Sequence, residues 1–580
     1  MRFVAIAGAA LATAALFSSC DPGPKRQPTD GRGERDAADD GRFGRVFTDV
    51  SEASGIRFRH ENGGTGKKLL PETLGSGVAV LDYDGDGRPD LFFVQCRGLD
   101  RDPSAAGRCA LYRNLGDGTF ADVSAAVGAD IAIAGMGATV ADFDGDDDDD
   151  VYVTGVDRNA LLENRNGRFV DVATELGVGG ARWRDRKGVE HPAWATAAVF
   201  FDADADGDLD LFVAHYVEWT VDSDIYTTID GVRKAFTTPD RYRGLPCRLY
   251  RREANGRYVD VSEAVGLLKH EGKALGVALW DFNADGRLDV FVANDTRPNF
   301  LFVSTPDGGY REEAALRQAA YDENGRARAG MGVDIAALGE PPAPTVAIGN
   351  FSGEALSLFR WSADGVFESI AAASGLVQAT LPMLTFGVVF EDFDYDGRLD
   401  LVLANGHIEP EVQAFFPSER FAQPALLFRG APHGRFVAVD REAGPALATP
   451  RVGRGLATFD LEGDGDLDLV LTSNGGPPTL LRNDLGDGAA NHFLRVRLRG
   501  QPPNTRAVGA VITVRSEGRV RSRCVRTGSS YLSQSDWVMS FGLGHSSTVE
   551  ALTVRWPDGR TTTHPVAAVD GAPLVCTQGP

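Results

Sequence analysis

Basic residues are scarce in this chain of 580: 59 Lys and Arg stand against 82 Asp and Glu, a formal charge of −23. A sequence-independent grip on nucleic acid needs cationic side chains that release counterions from phosphates, so the balance argues against that function and against adsorption to anionic membranes. Long apolar runs are missing too. The one mainly apolar stretch, Phe3 to Phe17, is too short to span a bilayer, and no other segment is long enough. Histidine and cysteine are few, at 9 and 6. Their spacing yields no Ser-His-Asp, metal-His or phosphate-loop arrangement, and the isolated Gly-x-Gly pieces lack the strand-turn-helix context of a nucleotide loop. With 69 Gly and 29 Pro the chain reads as turn-rich, not as a helical bundle, and 43% hydrophobic content is enough to fold throughout. Its length exceeds one ordinary core, so several domains or one large repeat architecture is expected.

What the chain does have is a nine-residue pattern, Asp-x-Asp-x-Asp-Gly-x-x-Asp or a close variant, returning six times with starts at 82, 142, 202, 281, 392 and 460. The wide gap between the fourth and fifth copies holds another unit. There Gly330-Met-Gly-Val-Asp-Ile matches the lead-in Gly135-Met-Gly-Ala-Thr-Val, and Val346-Ala-Ile-Gly-Asn matches the strand after a loop. Ala337, Gly339, Pro341 and Thr345 stand where its carboxylates should be. A second motif, Gly-x-Phe/Tyr, alternates with the first and places Phe120, Phe169, Tyr258, Tyr310, Phe367 and Phe436 at equivalent positions, with Phe47 after one inserted residue. About four short β-rich runs per unit, seven times over, predict an all-β fold, a seven-bladed β-propeller over residues 44–488. The series opens with a Gly-Phe strand and closes without one. Val46 to Val50 is therefore expected to complete the last blade and cover its edge.

The repeated loop carries oxygen ligands at positions 1, 3, 5 and 9 with Gly at 6, the arrangement by which a tight turn aims carboxylates at one hard cation. The candidate ligands are Asp82, Asp84, Asp86 and Asp90; Asp142, Asp144, Asp146 and Asp150; Asp202, Asp204, Asp206 and Asp210; Asp281, Asn283, Asp285 and Asp289; Asp392, Asp394, Asp396 and Asp400; and Asp460, Glu462, Asp464 and Asp468. No loop contains His or Cys, which disfavours zinc and copper. About six structural Ca²⁺ ions are expected, each saturated by its own loop. The second loop departs from the pattern with Asp147 at position 6.

Residues 1–20 read as an export signal, and the small residues before Cys20 resemble a bacterial lipobox, which implies lipidation of that cysteine. The bacterial periplasm or cell surface, with membrane contact only through the N-terminal lipid, is the expected location. Residues 21–43 form an almost wholly polar tether. In an exported chain disulfides persist, and Cys96 with Cys109 and Cys524 with Cys576 are the expected pairs, leaving Cys247 free.

The acid loops resemble FG-GAP/VCBS calcium propellers related to integrin α-subunit blades. More narrowly, Arg59-His60-Glu61-Asn62-Gly63, Leu70-Pro71-Glu72-Thr-Leu-Gly-Ser-Gly77 and Ala404-Asn405-Gly406-His407-Ile408 look like the ASPIC/UnbV (cartilage acidic protein-like) family. Gly528-Ser-Ser-Tyr531-Leu532-Ser533-Gln534-Ser535-Asp536, Phe541-Gly-Leu-Gly544 and Val554-Arg555-Trp556-Pro557-Asp558-Gly559 are similar to the same family. The resemblance implies a secreted calcium-binding propeller followed by a small β domain, residues 491–580, and implies no established reaction.

That tail holds 11 Arg and no Lys against 5 acids. Arg495, Arg497 and Arg499 alternate, as do Arg519, Arg521 and Arg523, so each trio projects from one strand face. The face is either simply solvated or binds anions, whether acidic glycans or the propeller itself. His60, Glu72 and His407, together with Trp219 in an aromatic stretch from His215 to Pro246 between blades 3 and 4, are the candidate ligand-face residues. The expected function is a non-enzymatic binding, adhesion or scaffold module for a protein or glycan. The alternatives are an enzyme on polysaccharide or a secondary metabolite at the channel mouth, and a lectin. The oligomeric state is not legible.

Overall fold

The computed structural model describes residues 43–98, 107–485 and 491–579. The expected export signal, the Cys20 lipidation site and the tether up to residue 42 lie outside the described residues. No described helix is long and apolar enough to cross a membrane.

Seven four-stranded antiparallel sheets follow one another between Arg45 and Leu485. Their innermost strands are the ones that lead into the acid loops: Val78–Leu81, Gly135–Ala141, Ala195–Phe201, Ala274–Trp280, Gly330–Leu338, Thr385–Glu391 and Gly453–Phe459. Each packs beside the next and the seventh beside the first, closing a ring. Blades stack face to face, so inner and second strands are buried on both sides, which is why Leu91-Phe-Phe-Val is a continuous apolar run with no alternation. Outer strands bury little beyond one residue each. In Phe120–Asp122 and Phe169–Asp171 the aromatic residue of the Gly-x-Phe motif points inward and its successors reach solvent. Burying one such ring is worth about 1.5–3 kcal/mol, which is what holds a three-residue strand to its sheet.

The ring closes as the motif order predicts. Arg45–Asp49 pairs antiparallel with Thr479–Leu485, from Arg45 opposite Leu485 to Asp49 opposite Leu481. Phe43, which composition assigns to the tether, belongs to the fold: it is buried, and its ring lies 6.5 Å from that of Phe47. It is the one aromatic residue of that stretch, and blade 7 uses it to finish its core.

The aromatic insertion lies elsewhere than expected. Asp210–His215 pairs directly with Arg248–Arg252, so residues 216–247 connect the second and third strands of blade 3 and do not join two blades. Blade 5 confirms the degenerate repeat. Gly330–Leu338 and Ala343–Asn350 form a hairpin paired as far as Leu338 opposite Ala343, so a four-residue turn at 339–342 replaces the nine-residue loop.

After the propeller, His492–Arg499 lies between Met539–Gly544, antiparallel, and Leu574–Thr577, parallel. A second sheet runs in the order Arg519–Cys524, Val511–Ser516, Ala551–Arg555, Thr561–His564. The fully buried Trp556 is the largest side chain in the core of this domain.

The two expected disulfides are corrected: Cys96, Cys109, Cys247, Cys524 and Cys576 are all free, buried thiols. Spacing along the chain says nothing about where the sulfurs point. Cys96 Sγ donates to the Arg97 carbonyl at 3.5 Å, whereas Cys109 Sγ accepts from the Gln95 amide at 3.5 Å and Cys524 Sγ donates to the Val525 carbonyl at 3.7 Å. Burial pushes Cys96, Cys109 and Cys247 up to about 12, so these thiols are unreactive at neutral pH.

Candidate functional site

Each acid loop is held by the same hydrogen bonds. The first-position aspartate accepts the sixth-position amide: Gly87 to Asp82 at 2.9 Å, Gly207 to Asp202 at 3.0 Å, Gly397 to Asp392 at 2.9 Å. The ninth-position aspartate is a hub, accepting one amide from its own loop and one from the third strand. For Asp90 these come from Tyr83 at 3.1 Å and Asn114 at 2.7 Å, and for Asp468 from Leu461 at 2.7 Å and Asn483 at 2.7 Å. These hubs are wholly buried, and desolvation outweighs the amides that favour their ionised form. It pushes Asp90 up to about 8 and Asp210 and Asp289 up to about 7.

Four loops bring three carboxylates together, one oxygen of each lying within 4.8 Å of the others: Asp82, Asp84 and Asp90; Asp142, Asp144 and Asp146; Asp202, Asp204 and Asp206; Asp392, Asp394 and Asp400. In each of these clusters one buried carboxylate oxygen receives no hydrogen bond, namely Oδ1 of Asp82, Asp144, Asp204 and Asp392, and Glu462 Oε2 is in the same position in blade 7. Carboxylate oxygens only accept, so converging acceptors of this kind fit a hard cation better than any further side chain in the loop. Such residues can hold an ion. Fifth-position Asp86 and Asp396 also meet arginines, Arg113 at 3.0 Å and Arg429 at 2.7 Å, on the third strands. In blade 4 the Asn283 amide donates to Asp285 Oδ2 at 3.1 Å, which partly closes that loop on itself.

Both arginine trios of the C-terminal domain face the propeller, which settles the choice between a solvated and an anion-binding face. Arg495 Nη1 lies 2.7 Å from Asp460 Oδ2, Arg497 Nη1 3.9 Å from Asp82 Oδ2, and Arg499 pairs with Asp147. Arg519 lies 3.4 Å from Glu340, Arg521 Nε donates to the Gly397 carbonyl at 3.3 Å, and Arg523 pairs with Glu391. Arg526 pairs with the buried Asp334 of the degenerate blade.

The segment Thr527 to Asp536 goes further and enters the central channel. Val80 N–H donates to the Gln534 carbonyl and Gln534 N–H to that of Val78, both at 3.0 Å. Gln534 Oε1 accepts from Thr139 Oγ1 and Val140 N at 2.9 Å. Phe200 N donates to Thr527 Oγ1 at 2.7 Å, Val333 N to the Ser530 carbonyl at 3.0 Å, Val388 N to Ser530 Oγ at 3.0 Å and Thr458 N to Ser535 Oγ at 3.1 Å. Six of the seven inner strands are thus hydrogen-bonded to one segment. Glycines in or just before those strands make the room: a Cβ on Gly77 would sit 2.2 Å from the Leu532 carbonyl oxygen, and one on Gly137 2.8 Å from Leu532 Cβ.

The buried turn Leu70–Thr73 lies at the opposite mouth. The fully buried Arg454 donates to the Thr73 carbonyl at 2.8 and 3.1 Å, to Gly406 at 3.0 Å and to Gly453 at 2.7 Å. Its guanidinium stands 3.9 Å from the centre of the Phe386 ring, which packs in turn on Tyr531 of the plug. Sequence reasoning missed Arg454, because one arginine in an apolar strand carries no pattern.

His60, Glu72, His407 and Trp219 all lie at this mouth, and all are buried. His60 Nδ1 accepts from the Gly475 amide at 3.1 Å and His407 Nδ1 from the Glu409 amide at 3.0 Å, while burial pushes the two imidazoles down to about 3 and about 4. Glu72 accepts the Leu69 amide at 3.0 Å, and Trp219 Nε1 donates to Asp224 at 2.8 Å. Both imidazoles are held neutral by burial, each accepts a backbone amide at Nδ1, and His60 Nε2 is buried without a hydrogen-bond partner.

Known proteins show matching parts. Residues 500–573 match the family described as ASPIC and UnbV, and residues 82–153 and 142–213 match the FG-GAP-like repeat. The chain is similar to cartilage acidic protein 1 of Homo sapiens, 27% identical over 88% of this chain and 75% of that one. It is also similar to cartilage acidic protein 1 of Mus musculus, 26% identical over 86% and 73%. Among solved structures, BBS1N in complex with ARL6DN aligns with a TM-score of 0.40 at 10% identity, covering 72% of this chain and 94% of that one. Rhamnogalacturonan lyase YesW aligns with a TM-score of 0.36 at 12% identity, covering 75% of each chain.

Proposed function

We propose that this chain is an exported, calcium-stabilised propeller that acts as a non-enzymatic binding or scaffold module, lipid-anchored through Cys20 at the periplasmic face or cell surface. The observation that carries the calcium reading is the set of buried carboxylate oxygens without a donor, one in each of five acid loops. Asp, Asn and Glu oxygens alone suit calcium, and each loop encloses its ion with its own ligands. With the plug bonded to six inner strands and Thr73 bonded to Arg454 at the other end, the outer surfaces are the place for a macromolecular protein or glycan ligand. The insertions opposite the acid loops suit that role. Residues 216–247 and 406–425 are tied together by the Phe236 amide donating to Glu409 at 3.2 Å and by Arg233 to Glu411 at 3.3 Å, Lys68 reaches Glu409 at 2.7 Å, and the two insertions expose Tyr226, Val232 and Phe416.

The test is a calorimetric calcium titration of the mature chain with thermal melts in calcium and in chelator. About five or six ions should bind, most weakly in the blade 4 loop, with a large rise in melting temperature. Each independent site contributes about 2.7 kcal/mol when free calcium is a hundredfold above its Kd. A melt that calcium does not move would overturn the reading.

A further inference from the structure

The acid loops do not meet the C-terminal domain equally. In four blades a residue of that domain bears on the first-position aspartate, and in a fifth on the same loop. Arg497 lies 3.9 Å from Asp82, Thr505 donates to Asp142, Arg555 lies 3.4 Å from Asp281 and Arg495 lies 2.7 Å from Asp460, while in blade 6 Arg521 donates to the Gly397 carbonyl at 3.3 Å. In blade 3 the guanidinium partners among the described residues, Arg251 on Asp204 at 2.8 Å and Arg252 on Asp208 at 3.1 Å, come from the blade's own third strand.

The first-position aspartate is also the residue that would ligate an ion. A guanidinium and a divalent ion on one carboxylate repel each other, strongly so where water is excluded, and the side chains of Arg495 and Asp460 are only 8% and 3% exposed. We propose that the arginines of the C-terminal domain are built-in counter-ions of the acid loops: they hold the ring and the domain together without calcium, and they lower the calcium affinity of the loops they touch. Ion loading and tight docking of the C-terminal domain then oppose each other, and by linkage whatever the arginine costs the ion, the ion costs the docked arginine. The blade 3 loop stands outside this coupling. The proposal rests on the calcium reading above and adds a regulation to it.

It also accounts for the irregular second loop. Asp147 occupies a left-handed position, φ 78°, where four of the other loops in this face of the ring and the uncoupled blade 3 loop all have Gly. Arg506 Nη1 donates to Asp147 at 2.8 Å and its Nε to Asp149 at 2.8 Å, and Arg499 joins them. The added acids Asp147 and Asp149 take the arginines of the docked domain, so that only the neutral Thr505 hydroxyl meets the ion-facing Asp142.

The test uses the full mature chain with Arg495→Gln and Arg495→Lys, titrated with calcium by calorimetry and melted in chelator and in calcium. Arg495→Gln should melt below wild type in chelator, should bind calcium at one site at least about threefold more tightly, and should approach wild type at saturating calcium. Arg495→Lys keeps the charge and should keep the wild-type affinity. Unchanged or weaker calcium binding by Arg495→Gln, with the same loss of melting temperature in both buffers, overturns the proposal while the calcium reading stands. Wild-type protein that binds no calcium sinks both. Should Arg495→Gln fail to fold, Arg497→Gln, at the longer and more exposed contact with Asp82, gives the same comparison in blade 1.

Discussion

The ninth-position aspartates do two jobs with one carboxyl group. Each ties its loop to the third strand through backbone amides, and in the calcium reading each is also its loop's closing ligand, with Asp90 and Asp400 already among the converging carboxylates. That double duty sets a pH dependence. Without an ion, burial raises Asp90 to about 8 and Asp210 and Asp289 to about 7, above the 3.8 of an exposed aspartate. A folded-state value raised in this way favours the protonated loop, so its contribution to stability is complete below about pH 4 and is lost as pH rises through 7 to 8. In the proposed calcium-bound state the ion takes the place of those protons and the loss is removed. The gap between the melting temperatures in calcium and in chelator should therefore be small at pH 5 and widen steadily toward pH 8. A gap independent of pH would mean that the hubs stay ionised without metal. The spacing of the acids was plain in the sequence, but the hub role was not, because the donors from the third strand lie between 14 and 42 residues away, at Asn164 for Asp150 and Arg252 for Asp210.

Among elements, the acid loop and the blade are separable. Blade 5 keeps its four strands although its turn has shrunk to residues 339–342, so the strands need the burial of their apolar residues and not the ion. Replacing Asp84 and Asp86 together with Asn should remove one calcium from the titration and part of the thermal rise. Replacing Gly339 with Asn should leave the calcium count at the wild-type value. Loss of a site in the Gly339 variant would show that blade 5 also holds an ion. This distinction could be read from Ala337, Pro341 and Thr345 standing in place of acids. The plug could not. Its residues were visible as a family-like signature, but Ser530, Ser533 and Gln534 carry no periodicity, and their partners at Val388, Val78 and Thr139 lie 142 to 455 positions away. The alternating arginines fixed a shared face for each trio, and only the fold identified the acidic propeller as what that face meets. The cysteines show the opposite failure, since plausible spacing there predicted bonds that the side-chain directions do not support.

For the whole molecule, the propeller and the C-terminal domain pack against each other. Phe43 to Pro580 forms a single compact unit. The plug satisfies inner-strand amides that would otherwise open onto a channel, and an unpaired buried amide costs about 1–3 kcal/mol. A chain ending at residue 490 should melt on the order of 10 °C below the full chain in saturating calcium, or fail to fold. A truncated propeller as stable as the parent would make the C-terminal domain a passenger.

The seam in blade 7 also imposes an order in time. Thr48 hydrogen-bonds to Asp484 at 2.7 Å across 436 residues, so the earliest strand of the ring waits, edge bare, while six blades are made. Closure waits further for the plug, another 40 or so positions on in the chain. Until both have arrived, the nascent ring is a stack of apolar faces without a keystone, the kind of intermediate that aggregates or recruits a chaperone. The ring is complete only once its first strand has met its last blade.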